Sequence, residues 1–175
     1  EREKSTTRKN KIEEIDSNVH TLSNQIKDLS NKKKYKVKII MSDENDMLLD
    51  TGGGILNMIR SFKKPFVAVN PDTLWSDAYC NELKDLEDLY FKKKKPCLLL
   101  VNKNLSFDNS FKGDFNLQGS VISRDNSNEF IFTGLQILDE SVFSSIKDKI
   151  CSMNKICDYL IMENSLAGNE SKQKL

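Results

Sequence analysis

The sequence predicts an α/β fold, because short apolar runs typical of buried strands alternate with segments whose apolar residues recur at helical spacing. The two clearest strand patterns are Phe66-Val67-Ala68-Val69 and Cys97-Leu98-Leu99-Leu100-Val101. Between them, residues 78–91 carry apolar side chains every three or four positions, and Pro96 ends that helical pattern. Continuous apolar runs of this length suit strands covered on both faces, as in a parallel sheet.

Weaker patterns extend this alternation in both directions along the chain. A helix is predicted over 22–29, a half-buried strand over 35–41, and a helix after three glycines at 52–54. Short strands at 115–117, 121–123 and 130–133 predict a small antiparallel flap, followed by a strand at 135–138 that returns to the main sheet. Closing helices are predicted over 141–149 and 154–163. We therefore expect one domain over 12–168, a disordered segment or remnant helix at 1–11, and a loose C-terminus at 169–175.

Composition excludes several classes of function. The 27 basic and 26 acidic residues leave a net charge of +1, too little for a field that steers nucleic acid. No signal peptide and no apolar stretch near ~18 residues is present, so we expect a cytoplasmic protein without a membrane or nucleic-acid partner. The four cysteines show no C-x-x-C spacing and the lone His20 has no ligand-like neighbours, which argues against a zinc site.

Two interpretations are open for the glycine segment, Thr51-Gly52-Gly53-Gly54. It is either a flexible loop between a strand and a helix, or a loop whose backbone approaches a ligand where any side chain would collide. In the second case its amides could donate to a base edge or a phosphate. No Gly-Lys-Ser/Thr follows, so the segment is not a P-loop.

A possible metal-binding carboxylate follows the first buried strand, in Asn70-Pro71-Asp72. Ligands of α/β sheets bind outside the carboxyl ends of strands, where this segment falls, although Asn-Pro-Asp also favours a plain turn. Gly54 and Asp72 are 18 positions apart, which is one helix plus one strand. A βαβ return of that length would bring both features to the same edge of the sheet.

Four motifs in this order resemble the nucleotidyltransferases that join a nucleoside triphosphate to a sugar 1-phosphate. They lie at 49–55 (LDTGGGI), 65–72 (PFVAVNPD), 112–115 (KGDF) and 133–138 (TGLQIL). The branch that they resemble most is the N-acetylmuramate-1-phosphate uridylyltransferase-like proteins, and the resemblance covers roughly residues 14–168. The ordered set is more specific than any one of the motifs.

The resemblance implies a Rossmann-like three-layer domain with a mixed, mainly parallel sheet and a small antiparallel flap. It also implies a Mg²⁺-dependent reaction of UTP with an amino-sugar 1-phosphate that releases pyrophosphate and feeds cell-wall recycling. Asp72 matches the family's catalytic, metal-binding aspartate. The nucleotide-binding positions are Thr51, Gly52, Gly53, Gly54 and Asn70, and the sugar-binding positions are Gly113, Asp114, Thr133 and Gly134.

The chain also departs from this family. A G-x-G-x-R loop and a Pro-Lys-Pro turn, which hold the triphosphate, have no counterpart in residues 1–11, and a second metal-binding aspartate has none either. Asp158 falls inside a predicted helix and is expected on its surface. We therefore expect a domain incomplete at both ends and weak or inactive. The alternatives are a non-catalytic homologue that binds a nucleotide or sugar, and a metal-dependent glycosyltransferase of similar topology.

Overall fold

The computed structural model describes residues 14–19, 23–32, 34–43, 49–59, 64–108, 110–144, 146, 148 and 150–175. These residues fall into two compact units, one within 1–49 and one within 50–175, where the sequence predicts a single domain. The predictions for residues 1–11 and His20 lie outside the described residues. In the described ranges, no helix is long and apolar enough to cross a lipid bilayer.

The first unit is a βαβ arrangement. It consists of β1 (Glu14–Val19), α1 (Ser23–Lys32) and β2 (Lys38–Asp43), which confirms the predicted helix and strand with slightly shifted bounds. β1 and β2 are parallel, as expected for strands joined through a helix. At the start of the pair, Lys38 Nζ lies 2.6 Å from Glu14 Oε2.

The second unit is built on a six-stranded mixed sheet with the order β3-β7-β4-β8-β6-β5. β3, β4 and β8 run in the same direction, and β7 lies between β3 and β4 antiparallel to both. Helices cover both faces of this sheet, so the predicted Rossmann-like α/β class is confirmed. The elements are α2 (Asp50–Met58), β3 (Phe66–Val69), α3 (Tyr79–Lys93), β4 (Cys97–Asn102), β5 (Asn116–Gln118), β6 (Val121–Ser123), β7 (Phe130–Leu138), α4 (Met153–Met162) and β8 (Ala167–Ser171), with short 3₁₀ turns at Lys103–Leu105 and Glu140–Phe143.

Strand β4 is the centre of the core. Every side chain from Cys97 to Val101 is 0% exposed, because α3 packs on one face and α2 and α4 pack on the other. Burying a leucine side chain in this way contributes about 1.5–3 kcal/mol. The prediction that β3 is covered on both faces is wrong, since Val67 and Val69 are 44% and 47% exposed.

The flap prediction is also wrong in its topology. The runs predicted at 130–133 and 135–138 form one nine-residue strand, β7, that continues through Gly134. β5 and β6 do not stand apart from the sheet, because β6 pairs with β8 through Val121 and Ala167. Of the predicted closing helices, α4 is confirmed, whereas the segment predicted to be helical from residue 141 begins with a 3₁₀ turn.

The C-terminal segment is part of the fold, so the prediction of a loose segment over 169–175 is wrong. β8 pairs in parallel with β4, at the centre of the sheet. The buried Glu82 carboxylate of α3 then accepts hydrogen bonds from Ser171 Oγ and from the Lys172 backbone N–H, both at 2.8 Å. Hydrogen bonding satisfies this carboxylate, which would be costly to bury alone.

A partly buried hydrogen bond joins α3 to the residue that follows β7, and it predicts a pH-dependent contribution to stability. Tyr90 Oη donates to Asp139 Oδ2 over 2.6 Å. Burial raises the pKa of the Asp139 carboxyl, but hydrogen bonds from Ser141 and Tyr90 outweigh burial and leave that pKa below its ordinary value. The stabilisation is therefore present above the ordinary Asp pKa of about 3.9 and is lost as the pH falls through the lower folded-state pKa.

We expect Tyr90→Phe to lower the free energy of unfolding by about 1–2 kcal/mol at neutral pH, because Asp139 loses a donor to its charged form. Urea unfolding at a series of pH values should show this difference shrinking below pH about 3.9. Tyr159→Phe is the matched control, since Tyr159 is 44% exposed. A loss for Tyr90→Phe that stays constant with pH would contradict the account.

Candidate functional site

The carboxyl end of β3 holds two free polar side chains. The Asn70 backbone N–H donates to the Gly134 carbonyl at 2.9 Å, and Trp75 Nε1 donates to the Asn70 carbonyl at 3.0 Å. These bonds fix the turn that contains Pro71 and Asp72. Among the described residues, neither the Asn70 amide group nor the exposed Asp72 carboxylate has a hydrogen-bond partner. The position predicted for a metal ligand thus carries a carboxylate that the fold does not use.

A β-bulge in β7 lies directly beside this turn. Leu98 and Leu100 of β4 pair with Gln136 and Phe132, so residues 133–135 of β7 stand opposite Leu99 alone. Gly134 has φ 87°, and a Cβ there would lie 2.7 Å from the Asn70 Cβ. Glycine is therefore required both for the backbone conformation and for the close approach of Asn70.

Thr133 holds the bulge together through its side chain. Its hydroxyl donates to the Leu99 carbonyl at 2.9 Å, and its own carbonyl accepts a hydrogen bond of 2.8 Å from Thr73 Oγ1. The side chain is only 1% exposed. The visible role of Thr133 is therefore structural, and its predicted sugar contact stays a prediction.

The other predicted sugar-binding residues, Gly113 and Asp114, lie just before β5, and hydrogen bonds tie Asp114 to β7. Asp114 Oδ2 accepts a hydrogen bond of 2.9 Å from the Phe132 N–H, which leaves the rest of this exposed carboxylate towards solvent. Gly113 has φ 75°, and a Cβ there would collide with the Asn128 carbonyl. The structure thus brings Asp114 next to the segment that contains Thr133 and Gly134, as the interpretation of a shared sugar pocket requires.

The glycine segment is a helix and not the predicted loop. Gly52, Gly53 and Gly54 lie buried within α2, although glycine disfavours helices by about 1 kcal/mol per residue. Packing explains the difference, because a Cβ at Gly52 would lie 2.8 Å from the Cys151 carbonyl. That carbonyl also accepts a hydrogen bond of 2.9 Å from the Gly53 N–H.

The polar groups of this segment are directed at the start of α4. Thr51 Oγ1 accepts a hydrogen bond of 3.1 Å from the Met153 N–H, and the Gly53 amide is already engaged. The hydrogen bonds of the described residues thus link Thr51 and Gly53 to residues 151–153 and not to Asn70 or Asp72. A nucleotide-binding role for Thr51 to Gly54 stays a prediction.

The described residues supply only part of the ligand set that a metal ion needs. In the part of the chain that the structure describes, no group of three or more His, Cys, Asp or Glu side chains is arranged to hold a metal. Mg²⁺ is commonly bound by one or two carboxylates together with substrate phosphates. The unpartnered Asp72 fits that pattern, whereas Asp158 lies on α4 as predicted and pairs with Arg124 at 2.6 Å.

Sequence reasoning missed Arg124, whose Nε donates to the Asp114 carbonyl at 2.9 Å. A signal was present, because Arg124 is the only arginine after Arg60 in a chain rich in lysine. A planar guanidinium that holds several acceptors at once is not replaceable by lysine. The arginine at position 124 therefore indicates that several acceptors must be held by one planar group.

The close approach of Asn70 predicts that alanine destabilises the fold more at Gly134 than at Gly119, although both glycines have positive φ. Gly134→Ala and Gly119→Ala both place alanine in a left-handed conformation, which costs about 1–2 kcal/mol. A Cβ at Gly119 meets no atom within 4 Å, whereas a Cβ at Gly134 meets Asn70. We expect Gly134→Ala to lower the free energy of unfolding in urea by about 1–3 kcal/mol more than the control. Equal losses would show that the close approach of Asn70 imposes no constraint.

Comparison with known proteins identifies the fold. No family model and no curated protein matches the sequence. Solved structures do: HddC from Yersinia pseudotuberculosis has a TM-score of 0.70 and 17% identity, over 91% of this chain and 70% of HddC. The inositol-1-phosphate CTP transferase from T. maritima has a TM-score of 0.67 and 11% identity, over 90% of this chain and 66% of that protein.

A third match is the UDP-glucose pyrophosphorylase from Acinetobacter baumannii, with a TM-score of 0.62 and 11% identity over 85% of this chain and 58% of that protein. The chain thus spans 58 to 70% of the length of these three proteins. Identities this low establish the fold alone. The chain has the fold of the sugar-1-phosphate nucleotidyltransferases.

Proposed function

We propose that the chain forms the core of a cytoplasmic nucleotidyltransferase that makes a nucleotide sugar from a nucleoside triphosphate and a sugar 1-phosphate. The observation that carries this proposal is the unpartnered Asp72 carboxylate at the carboxyl end of β3, in a fold used by such enzymes. Proteins of this fold have been solved with GMP-PN and with UTP bound. The four sequence motifs further support UTP and N-acetylmuramate 1-phosphate as the substrates, in cell-wall recycling.

The reaction is a single displacement at phosphorus. An oxygen of the sugar phosphate bonds to the α-phosphorus of the triphosphate, the bond from that phosphorus to the bridging oxygen breaks, and pyrophosphate leaves. No covalent bond to the protein forms, so the chain contributes binding, orientation and electrostatic stabilisation. Mg²⁺, when bound, would neutralise phosphate charge, and Asp72 is the residue that would hold it.

The free groups of the site suit the two substrates. The Asn70 amide, held over Gly134, offers both a donor and an acceptor to the nucleotide. Asp114 uses Oδ2 for the Phe132 N–H, and its other oxygen is available to accept a hydrogen bond from a sugar hydroxyl. Because backbone hydrogen bonds fix both positions, little conformational freedom is lost when a ligand binds.

A second candidate is nucleotide or sugar binding without turnover. It is favoured by the absence of a metal-binding cluster from the described residues around Asp72. The third alternative is a metal-dependent glycosyltransferase of similar sheet topology. The three differ in their products, so assays of those products separate them.

The test of the proposed function is pyrophosphate release. The purified chain is incubated with UTP, Mg²⁺ and N-acetylmuramate 1-phosphate, with glucose 1-phosphate as the alternative acceptor. The proposal predicts weak release of pyrophosphate, above the rate without protein, and only when a sugar phosphate is present. Binding of UTP without any pyrophosphate release above that rate would favour the non-catalytic homologue. A parallel incubation contains UDP-glucose and Mg²⁺, and cleavage of UDP-glucose there would favour the glycosyltransferase.

Asp72→Asn should remove the dependence of UTP binding on Mg²⁺. Replacing the carboxylate by an amide removes the charge that binds the metal, and we expect at least about tenfold weaker binding of UTP in the presence of Mg²⁺. Titration calorimetry with and without Mg²⁺ measures this. Asp77→Asn is the matched control, because Asp77 is an exposed carboxylate on the same loop. If the two variants behave alike, Asp72 is a turn residue and no metal ligand.

A further inference from the structure

Arg124 is held in three directions by its guanidinium group. Nε donates to the Asp114 carbonyl at 2.9 Å, Nη1 to Asp158 Oδ1 at 2.6 Å, and Nη2 to Asn154 Oδ1 at 3.1 Å. The guanidinium carbon also lies 4.3 Å from the centre of the Phe115 ring, which is a cation–π contact. The side chain therefore connects the segment that carries Asp114 to helix α4.

These contacts fix the orientation of the Arg124 side chain and contribute little to stability. The side chains of Arg124 and Asp158 are 25% and 53% exposed, and ion pairs of such exposure contribute little to stability by themselves. A planar guanidinium that bonds three acceptors and lies over a buried ring does, however, fix the orientation of those acceptors relative to each other. The acceptor on the site side is the backbone of Asp114, whose carboxylate is bound to Phe132.

The first turns of the same helix, with Cys151 just before it, also hold the glycine segment. The Cys151 carbonyl accepts from the Gly53 N–H, the Met153 N–H donates to Thr51, and Ile156 packs against Gly52. Residues 151–158, which we call the α4 bracket, therefore contact the glycine segment directly and are connected to Asp114 through Arg124. On one side lies the predicted nucleotide segment, and on the other side lies Asp114.

We infer that the α4 bracket sets the position of Asp114 relative to the glycine segment, and that Arg124 is a positioning residue for the sugar phosphate. This inference rests on the proposed function for its ligand but not for its geometry. Arg124 does not touch the ligand itself. It acts through Asp114, so its replacement weakens binding of the sugar phosphate and spares binding of the nucleotide.

The geometric part is tested without any ligand, by amide hydrogen exchange measured by NMR. Arg124→Lys keeps the charge but loses the fork, and we expect exchange of the Phe132 amide to become about tenfold faster, as its acceptor Asp114 loosens. Exchange at Leu98 to Leu100 in the core should stay within about twofold. Lys103→Met is the control, because it removes a different ion pair of the same sheet, to Glu129 at 2.8 Å.

Asp158→Asn and Asn154→Ala provide milder variants that keep the guanidinium, in case Arg124→Lys does not fold. Each should accelerate exchange at Phe132 by a smaller factor and leave the core amides unchanged. Unaltered exchange at Phe132 in all three variants would overturn the positioning role. General acceleration that includes the core would show a merely structural role and would overturn it as well.

The ligand part is tested by titrating the same variants with glucose 1-phosphate, N-acetylmuramate 1-phosphate and UTP. For Arg124→Lys we expect about tenfold weaker binding of a sugar phosphate and binding of UTP within about twofold of the unmodified chain. Equal weakening of both ligands, or of neither, would overturn the inference. An unmodified chain that binds neither ligand contradicts the proposed function, and exchange at Phe132 still decides whether Arg124 positions Asp114.

Discussion

The bulge of β7 opposite Leu99 is the constraint on which the candidate site depends. β7 is hydrogen-bonded to β3 on one side and to β4 on the other, and residues 133–135 stand at the bulge beside the end of β3. The Gly134 carbonyl then accepts the Asn70 N–H, and the Thr133 carbonyl accepts the Thr73 hydroxyl. One residue earlier, the Phe132 N–H holds Asp114. Hydrogen bonds to residues 132–134 therefore hold both polar segments of the site in position.

The rigidity of this arrangement comes from the buried centre of the sheet. β4 is fully buried, and it carries β7 on one side and β8 on the other. Residues of the candidate site such as Asp72 and Asp114 are exposed, yet each follows or contacts backbone that the sheet fixes. A site built on strands in this way keeps its polar groups in place before a ligand arrives, which lowers the cost of binding.

Sequence reasoning succeeded where local pattern and tertiary structure agree. The helical spacing in 78–91 and the apolar run of β4 predicted α3 and β4, and the placement of Asn70 and Asp72 at the end of β3 followed from the strand before them. It failed where tertiary contacts override local preference. β8 has no apolar run, and it forms by parallel pairing with the buried strand β4. The glycines lie in a helix against their local preference, and Gly52 is required there because Cys151 and Ile156 leave no room for a side chain.

The site was predictable in part for the same reason. Strand ends can be read from a sequence, whereas the hydrogen bond from Phe132 to Asp114 depends on the bulge, which a glycine within a strand only suggests. Gly134 was therefore interpreted as a break between two strands, when it lies inside one. The role of Arg124 is not visible in the sequence, because its partners Asp114 and Asp158 lie 10 and 34 positions away.

We propose that residues 70–72 and 113–134 form one site that takes a nucleotide and a sugar phosphate side by side. The most direct measurement is NMR mapping of amide shifts in the ¹⁵N-labelled chain, titrated separately with UTP–Mg²⁺ and with a sugar 1-phosphate. The account predicts that UTP–Mg²⁺ shifts Asn70 and Asp72, and that the sugar phosphate shifts Gly113, Asp114 and Gly134. Shifts confined to the depression lined by Lys94, Ser141 and Glu163, between the ends of α3 and α4, would contradict it.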